Sequence, residues 1–205
     1  IRSKKKKPFF DNKIQLDLNC IWISALISSE RILPNNNFLK IAEIHYKNLE
    51  KIFFNKEILQ HTTLKPDVFL EDYAYSIAMV LDLHDRTLNL DYLFKAKKIC
   101  KQAIELFYIK EKSIFQKNVI ATNNLFHKPI DISDGNIPNG NSIMLLNFSR
   151  LKMKKEAKEL SDSLNGYLNV YKSLMASALK SIDYSNIINS NEKCTKEGCV
   201  IYKNE

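Results

Sequence analysis

The stretch LEDYAYSIAMVLDLHDRTLNLDYLFKAKKICKQAIELF, residues 70–107, decides the fold class. It contains two runs in which apolar residues recur every three or four positions, the spacing of one buried helix face. The first run is Leu70, Tyr73, Ala74, Ile77, Leu81 and His84, and the second is Tyr92, Ala96, Ile99, Cys100, Ala103, Ile104 and Phe107. Asp91 can cap the second helix. The stretch therefore predicts two successive helices with a short polar connection, which is the arrangement of an antiparallel helix pair.

Similar periodicity on either side of this stretch predicts two further helix pairs. The earlier pair has a helix over Leu18–Ser29, a break at Pro34, and a second helix capped by Asn37. Its two stripes are Leu18, Ile21, Trp22, Ala25 and Leu26, then Phe38, Ile41, Ala42, His45, Leu49, Ile52 and Phe53. The later pair begins after Gly140, and Gly166 is expected to break its second, long run into two helices. The pairs start near residues 18, 69 and 141, a spacing too uneven for tetratricopeptide repeats.

The segment between residues 112 and 138 has no helical period. It predicts a short β-hairpin in which Ile114-Phe115 pairs with Val119-Ile120, followed by a turn at Asp134-Gly135. We divide the chain into a basic tail and leading loop over residues 1–17, helix pairs over 18–185, and an irregular tail over 186–205.

Composition and charge narrow the function classes. Of the 205 residues, 45% are hydrophobic and 26% are charged, which is ordinary for a globular domain with one core. No apolar run approaches the ~20 residues of a membrane span, so no membrane partner is expected. The net charge of +8 is concentrated in Arg2, Lys4–Lys7 and Lys152–Lys158. Without a nucleic-acid-binding motif these runs are read as solvated segments, and nucleic acid is an unfavoured partner.

The four cysteines favour a cytoplasmic protein with reduced thiols. Cys20 and Cys100 lie on apolar helix faces, where a thiol packs as a small core residue. Cys194 and Cys199 have four residues between them, which is neither a CxxC motif nor a full zinc set. A disulfide bond or a metal site formed by this second pair is the less favoured alternative.

Three polar clusters stand where a helix pair begins. They cover Asp11–Asn19, Leu70–Ala74 and Asp134–Ser142. Helix N-termini favour polar or anionic groups, and Asp72 or Asn141 could simply cap a helix. Three such clusters at the same end of three pairs instead favour a shared cleft. Paired carboxylates in such a cleft can perform acid–base chemistry on a glycosidic bond.

None of the four histidines has a spacing that indicates a metal site or a catalytic pair. His45 and His84 lie on apolar helix stripes and are predicted core residues, whereas His61 and His127 lie in irregular segments. The sequence also lacks a P-loop, a dinucleotide-binding fingerprint, a nucleophile elbow and a zinc-protease motif. No metal and no cofactor are predicted.

Taken in order, the three clusters resemble the C-terminal part of the YyaL-type, spermatogenesis-associated thioredoxin-domain proteins. The family's Asp-Asp-Lys…Trp-Asn-Gly-Leu-Met stretch is similar to Asp11–Trp22, with Leu18 and Cys20 in place of its Trp and Gly. Its Leu-Asp-Asp-Tyr-Ala motif is similar to Leu70–Ala74. Its Asp-Gly-Ala-x-Pro-Ser-Gly-Asn-Ser motif is similar to Asp134–Ser142 and is the most specific of the three.

This resemblance implies a fold and a type of site. The family has a thioredoxin-like domain followed by a six-hairpin, glycosidase-like toroid similar to N-acylglucosamine 2-epimerases. The expected fold is therefore all-α, with antiparallel helix pairs forming part of an (α/α) toroid, and the chain resembles a partial copy of it. A family cysteine pair near the C-terminus would correspond to Cys194 and Cys199.

The leading hypothesis is a carbohydrate-binding or sugar-modifying cleft with a small carbohydrate ligand. In it Asp72 and Asp134 would act as acid–base residues, Tyr73 would stack on the sugar, and Asn19 and Asn141 would donate hydrogen bonds. Four of these residues, Asp72, Tyr73, Asp134 and Asn141, should share one concave surface. Catalysis itself is left open, since an active protein would be epimerase- or glycosidase-like. The alternative is a non-catalytic helical interaction scaffold, a degenerate copy of the toroid. Separately, because three pairs leave the terminal apolar faces open, the isolated chain is expected to self-associate or to need a missing N-terminal half.

Overall fold

The computed structural model describes the backbone of residues 10–34, 36–119, 129–195 and 198–201, and side chains as far as residue 188. This part of the chain forms helices α1 Leu16–Ile32, α2 Phe38–Leu49, α3 Leu70–Thr87, α4 Leu90–Phe107, α5 Gly140–Arg150, α6 Lys154–Tyr171 and α7 Ala176–Asn191. A π-helical turn, Glu50–Phe54, extends α2, and short 3₁₀ turns lie at Lys110–Lys112 and Lys172–Leu174. None of the described helices combines the length and apolar character that a membrane crossing requires.

The helices pack in two layers. Each odd-numbered helix packs on the next odd-numbered one, which gives an inner row in the order α1, α3, α5, α7. Helices α2, α4 and α6 pack on α1, α3 and α5 respectively and form an outer row. Because successive helices run in opposite directions, all inner helices begin at the same end of the array. The predicted all-α fold of antiparallel pairs is thus confirmed.

The two small sheets differ from the predicted hairpin. Strand β1, Tyr108–Ile109, pairs antiparallel with β2, Ile114–Phe115. The correct partner of Ile114-Phe115 therefore precedes it in the chain, because the tight turn at Lys110–Lys112 brings the end of α4 back onto it. Val119 instead donates its N–H to the Val68 carbonyl at 3.4 Å. Ile120 and His127 lie outside the described residues.

The C-terminal part is more regular than predicted. Helix α6 continues through Gly166, where a Cβ atom would meet nothing within 4 Å, and the break falls at the 3₁₀ turn after Tyr171. Helix α7 extends beyond residue 186, and strands β3, Glu192–Thr195, and β4, Gly198–Ile201, follow it. Cys194 and Cys199 occupy opposite positions in the register of β3 and β4.

The first pair is helical as predicted, but its buried faces are rotated. Helix α1 buries Leu16, Asp17, Cys20, Ile23, Leu26 and Ile27. Leu18 is 47% exposed and Trp22 is 55% exposed, so the stripe that contains them faces outward. On α2 the buried residues are Ala42, Tyr46 and Leu49, and His45 is exposed rather than in the core. Periodicity therefore identified these helices but did not orient them.

Several turns use left-handed backbone at residues other than glycine. Leu88, directly after α3, has φ of 56° and donates its N–H to the His84 carbonyl at 2.7 Å. Lys152, between α5 and α6, has φ of 59°. These residues turn the chain sharply from an inner helix to its outer partner.

Candidate functional site

A cleft of about 310 Å³ opens at the end of the array where the inner helices begin. All three polar clusters contribute to it, as the sequence predicts. Its lining residues are Asp17, His61, Phe69, Glu71, Lys117, Asp131, Ser133, Gly135, Ile137, Pro138 and Asn139. We refer to this cavity as the cleft.

The most specific contact at the cleft joins a loop histidine to a buried carboxylate. Nδ1 of His61 lies 3.0 Å from Oδ1 of Asp72, in the first turn of α3. Nε2 of His61 lies 3.0 Å from the side-chain amide nitrogen, Nε2, of Gln15. A neutral imidazole satisfies both contacts when Nδ1 donates to Asp72 and Nε2 accepts from Gln15. Asp72 thereby fixes both the tautomer and the orientation of the ring.

The backbone around His61 is held on two sides. Its N–H donates to the Asp67 carbonyl at 2.7 Å, and its carbonyl accepts from the Leu16 N–H at 2.9 Å. The loop that follows the first pair is thus fixed to the start of α1. Sequence reasoning did not select His61, because these contacts come from residues distant in the chain and leave no local motif.

The two members of this pair change each other's protonation. Asp72 has no exposed surface, and this burial raises the pKa of its carboxyl, although the bond from His61 opposes the rise. The Asp72 carboxylate in turn raises the pKa of His61, chiefly through the hydrogen bond, against the opposing effect of burial. The imidazole is therefore a stronger base than an isolated histidine.

Asp17 adds a second carboxylate beside the same ring. Its Oδ1 lies 3.9 Å from Nδ1 of His61. Ligand atoms of Asp17, His61 and Asp72 all lie within 4.8 Å of one another, a grouping that could hold a metal ion. The 3.0 Å between His61 and Asp72 is an ordinary hydrogen-bond length, so a directly bonded pair already accounts for the geometry.

Glu71 brings another titratable group to the cleft. Burial raises the pKa of its carboxyl, while backbone N–H groups, including that of Gly140, and nearby Lys117 partly oppose the rise. Gly140 starts α5 and lies against the start of α3. A Cβ atom there would come within 2.8 Å of Leu70 Cδ2 and 3.3 Å of Glu71 Oε1. The glycine therefore allows two helix N-termini to approach each other around the Glu71 carboxylate.

An ion pair forms the opposite wall of the cleft. Nζ of Lys117 lies 2.8 Å from Oδ2 of Asp131, and this bond raises the pKa of Lys117 despite partial burial. The backbone N–H of Lys117 also donates to the Pro129 carbonyl at 2.7 Å, and its carbonyl accepts from Leu70 N–H at 2.8 Å. The lysine thus connects the segment after β2 both to α3 and to the segment that precedes the third polar cluster.

Asp134, a predicted acid–base residue, lies behind the cleft rather than in its lining. Its Oδ2 accepts from the Ser177 N–H at 2.8 Å, and its Oδ1 accepts from the Asn139 N–H at 3.1 Å and from the Ser177 hydroxyl. Partial burial alone would raise its pKa, but these hydrogen bonds from Ser177 and Asn139 hold the pKa of Asp134 below its ordinary value. Both carboxylate oxygens accept hydrogen bonds, and these bonds join the 134–139 turn to the start of α7.

The side chains of the other predicted residues are likewise bound within the protein rather than exposed in the cleft lining. Asn141 is fully buried, accepts from Phe115 N–H at 2.9 Å and donates to the carbonyls of Phe115 and Asp131 at 3.0 and 2.9 Å. Tyr73 is fully buried and its hydroxyl accepts from a backbone N–H, so it offers no ring for stacking at the surface. Asn19 donates to the Gln15 carbonyl at 2.6 Å. Of the five predicted residues, only Asp72 bonds a side chain that lines the cleft.

No family model matches the sequence, and no curated protein matches it. Solved structures do match in fold. A GH76 α-mannanase from Bacteroides thetaiotaomicron has a TM-score of 0.62 at 12% identity, over 95% of this chain and 62% of its own. Cellobiose 2-epimerase from Bacillus thermoamylovorans B4167 has a TM-score of 0.58 at 14% identity, over 91% of this chain and 63% of its own. The chain therefore shares the (α/α) toroid fold of these structures.

This chain spans less than two thirds of the length of those two toroids. A glycoside hydrolase family 76 mannosidase from Bacteroides thetaiotaomicron VPI-5482 matches with a TM-score of 0.63 at 15% identity, over 83% of this chain and 54% of its own. The described part of the chain supplies three helix pairs of a toroid and α7 as a further inner helix.

A larger cavity of about 440 Å³ lies at the opposite end of the toroid helices. It is lined by Leu81, Leu93, Tyr184 and Ile188, among others, with Arg150 at its edge. Arg150 is already bound to Asp82 and Asp85 at 2.8 Å each. Along α3 the two cavities are separated by roughly 20 Å, given a rise of about 1.5 Å per residue. The larger cavity is also lined by His84 and Asp85, whose contact measures 3.0 Å, but the Asp85 side chain is 61% exposed and is shared with Arg150. Because the partner of His61 is instead a fully buried carboxylate, the cleft is the better candidate for chemistry.

Proposed function

We propose that this chain is the sugar-active part of a toroid and that the cleft binds a carbohydrate and transfers protons to and from it. The observation that carries the proposal is the His61–Asp72 pair beside Glu71 in one cavity. A histidine and a carboxyl group, each with a raised pKa, are suited to act as base and acid respectively. Fold similarity to sugar epimerases and mannanases adds to the proposal by analogy alone.

The arrangement best supports proton abstraction next to a carbonyl. Asp72 keeps the proton of a neutral His61 on Nδ1, so the basic lone pair lies on Nε2. That lone pair accepts from the Gln15 side-chain amide, and a bound sugar would displace this amide before Nε2 accepts a proton from the sugar carbon. The electron pair of the broken C–H bond would form the carbon–carbon double bond of an enediol, as Glu71 protonates the carbonyl oxygen. A water molecule on the opposite face would protonate that carbon as the enediol hydroxyl returns its proton to Glu71, which gives the epimer. The hydroxide left from this water would take the proton from His61. His61 and Glu71 are then catalytic residues, and Asp72 is a positioning residue.

A second candidate reaction is hydrolysis of a glycosidic bond. Three carboxylates, those of Asp17, Glu71 and Asp131, line the cleft. Glu71, with its raised pKa, would protonate the leaving oxygen, and Asp17 would act as the base for water or as the nucleophile. Asp131 is engaged by Lys117 and is the weaker choice for this second role.

The two reactions and the scaffold alternative predict different outcomes in one experiment. The protein would be incubated in D₂O with neutral reducing sugars and with their disaccharides, followed by proton NMR. Epimerisation incorporates deuterium at the carbon next to the carbonyl, whereas hydrolysis releases new reducing ends. His61→Asn and Glu71→Gln should each abolish the epimerisation, and His84→Asn, outside the cleft, should not. No product and no sugar-induced shift of any cleft resonance would favour the non-catalytic scaffold.

The YyaL-type resemblance adds a wider context to this proposal. In a complete protein of that type, a thioredoxin-like domain would precede the toroid. The coding sequence upstream of Ile1 tests this directly, and the absence of such a domain there would leave only the sugar-active toroid.

A further inference from the structure

A second cavity of about 510 Å³ adjoins the cleft and shares two of its lining residues, Asp131 and Ser133. The segment that contains these residues forms a common wall between the two cavities. On its far side the second cavity is lined by Tyr167 and Tyr171 of α6, with Lys112 and Leu174 at its margins. The proposed function uses none of these four residues.

The two tyrosines lie on one face of α6 and both line the second cavity. They are four positions apart in α6, so their side chains are neighbours on one helix face, with Cβ atoms about 5–6 Å apart. Tyr171 is 44% exposed, whereas Tyr167 packs partly against the core. Within the described part of the chain, neither ring pairs with another aromatic ring. A large exposed tyrosine beside a cavity is typical of a surface that binds amphipathic ligands.

The wall between the cavities is fixed in place without a ligand. The Asp131 carbonyl accepts from the Asn141 amide at 2.9 Å, and the Asp131 carboxylate holds Lys117. Further along, the Asp134 N–H donates to the Leu174 carbonyl at 2.6 Å, which fixes the far margin of the second cavity. The two cavities are therefore a preformed, continuous surface, the usual condition of a ligand site.

We propose that the second cavity is a subsite for a further sugar unit, so that the ligand is an oligosaccharide that spans the cleft and the tyrosine pair. This inference rests on the proposed function, because it takes the cleft to hold the first sugar. A pyranose ring has one face of C–H groups, which packs on an aromatic ring, and a rim of hydroxyl groups. Tyr171 and Tyr167 would receive the apolar face, and Lys112, Asp131 and Ser133 would bond the rim.

Binding measured against ligand length tests the subsite. Six sugars would be titrated into the full chain by calorimetry. They are glucose with its β-1,4-linked disaccharide and tetrasaccharide, and mannose with its α-1,6-linked disaccharide and tetrasaccharide. We expect at least one tetrasaccharide to bind about tenfold more tightly than its monosaccharide, the size of effect that aromatic packing contributes. Tyr171→Ala should remove that gain and leave monosaccharide affinity unchanged. The exposed position of Tyr171 means that this variant keeps the fold, and Tyr167→Ala can be added to it.

The matched control is Phe94→Ala, which removes a ring that is 64% exposed on the outer helix α4 and remote from both cavities. It should leave every affinity unchanged. Monosaccharide binding with no gain from length would overturn the subsite and leave the proposed function intact. An equal loss of monosaccharide and tetrasaccharide affinity in Tyr171→Ala would also overturn it. If none of the six sugars binds the unmodified chain, both the subsite and the proposed function are rejected.

Discussion

Oδ1 of Asp72 and Nδ1 of His61 lie 3.0 Å apart, although one belongs to a helix and the other to the loop before it. Asp72 is fully buried, while the His61 side chain keeps one fifth of its surface exposed, at 20%. The pair therefore has one member inside the core and one at the cleft. This is the geometry in which a buried carboxylate sets the basicity of an accessible imidazole.

The first prediction concerns that basicity. Because the Asp72 carboxylate raises the pKa of His61, Asp72→Asn should lower the pKa of the His61 ring. NMR titration of the His61 ring resonances measures this pKa directly in the parent and in the variant. Asp85→Asn is the matched control, because Asp85 contacts His84 at the same 3.0 Å outside the cleft, and it should leave the His61 titration unchanged. A His61 pKa that does not move in Asp72→Asn would show that the carboxylate is not its partner in solution.

The same pair also makes stability depend on pH. A raised histidine pKa stabilises the folded state fully below the ordinary value of about 6.5, and this contribution is lost as pH rises through the folded pKa. The raised pKa of Asp72 acts in the same direction, at pH values above its ordinary one. Unfolding free energy should accordingly fall as pH rises through neutrality, and Asp72→Asn should flatten that dependence.

The second prediction concerns Gly140. In Gly140→Ala the new methyl group would meet Leu70 Cδ2 at 2.8 Å, and Leu70 is only 1% exposed, so it has little room to move. We expect a loss of about 1–3 kcal/mol in unfolding free energy from urea titration. The matched control is Gly166→Ala in α6, where nothing lies within 4 Å and alanine should stabilise the helix by about 0.5–1 kcal/mol. Equal effects of the two changes would contradict the close approach of α3 and α5.

The third prediction concerns Asp134. Its carboxylate accepts the Ser177 N–H at the start of α7, so Asp134→Ala should destabilise the fold by about 1–2 kcal/mol. Since the pKa of Asp134 is lowered, this contribution is present above the ordinary carboxyl pKa and is lost as pH falls through the folded pKa. Urea titrations at several acidic pH values would show the difference between variant and parent vanishing. Asp162→Ala, which breaks only an exposed pair with Lys158, should change stability by less than about 0.5 kcal/mol.

The fourth prediction concerns the charge of the ligand. The whole chain carries a net charge of +8, yet the cleft lining includes Asp17, Glu71 and Asp131 against the single lysine Lys117. Like charges brought together in a partly buried site cost several kcal/mol. Glucuronate should therefore bind at least about tenfold more weakly than glucose. Asp131→Asn should narrow that difference in affinity. Tighter binding of glucuronate than of glucose to the unmodified chain would contradict the proposal that these acidic residues line the ligand site.

The fifth prediction concerns the outer surface of the two terminal inner helices. Leu18 and Trp22 on α1 are 47% and 55% exposed, and Leu179 and Ile187 on α7 are 60% and 49% exposed. Large apolar side chains exposed on a terminal helix face favour an interface when they adjoin one another. We expect the purified chain to self-associate in light scattering, and Leu18→Lys with Trp22→Lys to reduce the association. Phe94→Lys on an outer helix is the control, and a monodisperse monomer at high concentration would contradict the expectation.

Sequence patterns identified the helices because burial of one face imposes a period of 3.6 residues wherever the chain is helical. The predicted buried face of α1 is wrong because Leu16, Cys20 and Ile23, which are the buried residues, fit that period as well as Leu18 and Trp22 do. Only the neighbouring helix decides between two such faces. A local pattern of apolar residues does not contain that information.

The location of the cleft was predictable, and most of its chemistry was not. Asp17 and Glu71 lie inside the clusters that pointed to it, beside residues that turned out to be internal. His61 and Lys117 lie in segments without any motif, and only tertiary hydrogen bonds bring them to the helix starts. Polar residues near a helix start serve both as caps and as ligands, so composition alone cannot assign the roles.

The two-layer packing of the helices separates two kinds of evolutionary change. Groups proposed to move protons stand on the starts of α1 and α3 and on the loop between the first two pairs, whereas Tyr167 and Tyr171 stand on the outer helix α6. Substitutions on α6 can therefore alter which ligands are held without disturbing the His61–Asp72 geometry. Under the proposed function, substitutions on the outer helices would change which glycans bind, while the inner row stays constrained by its own core.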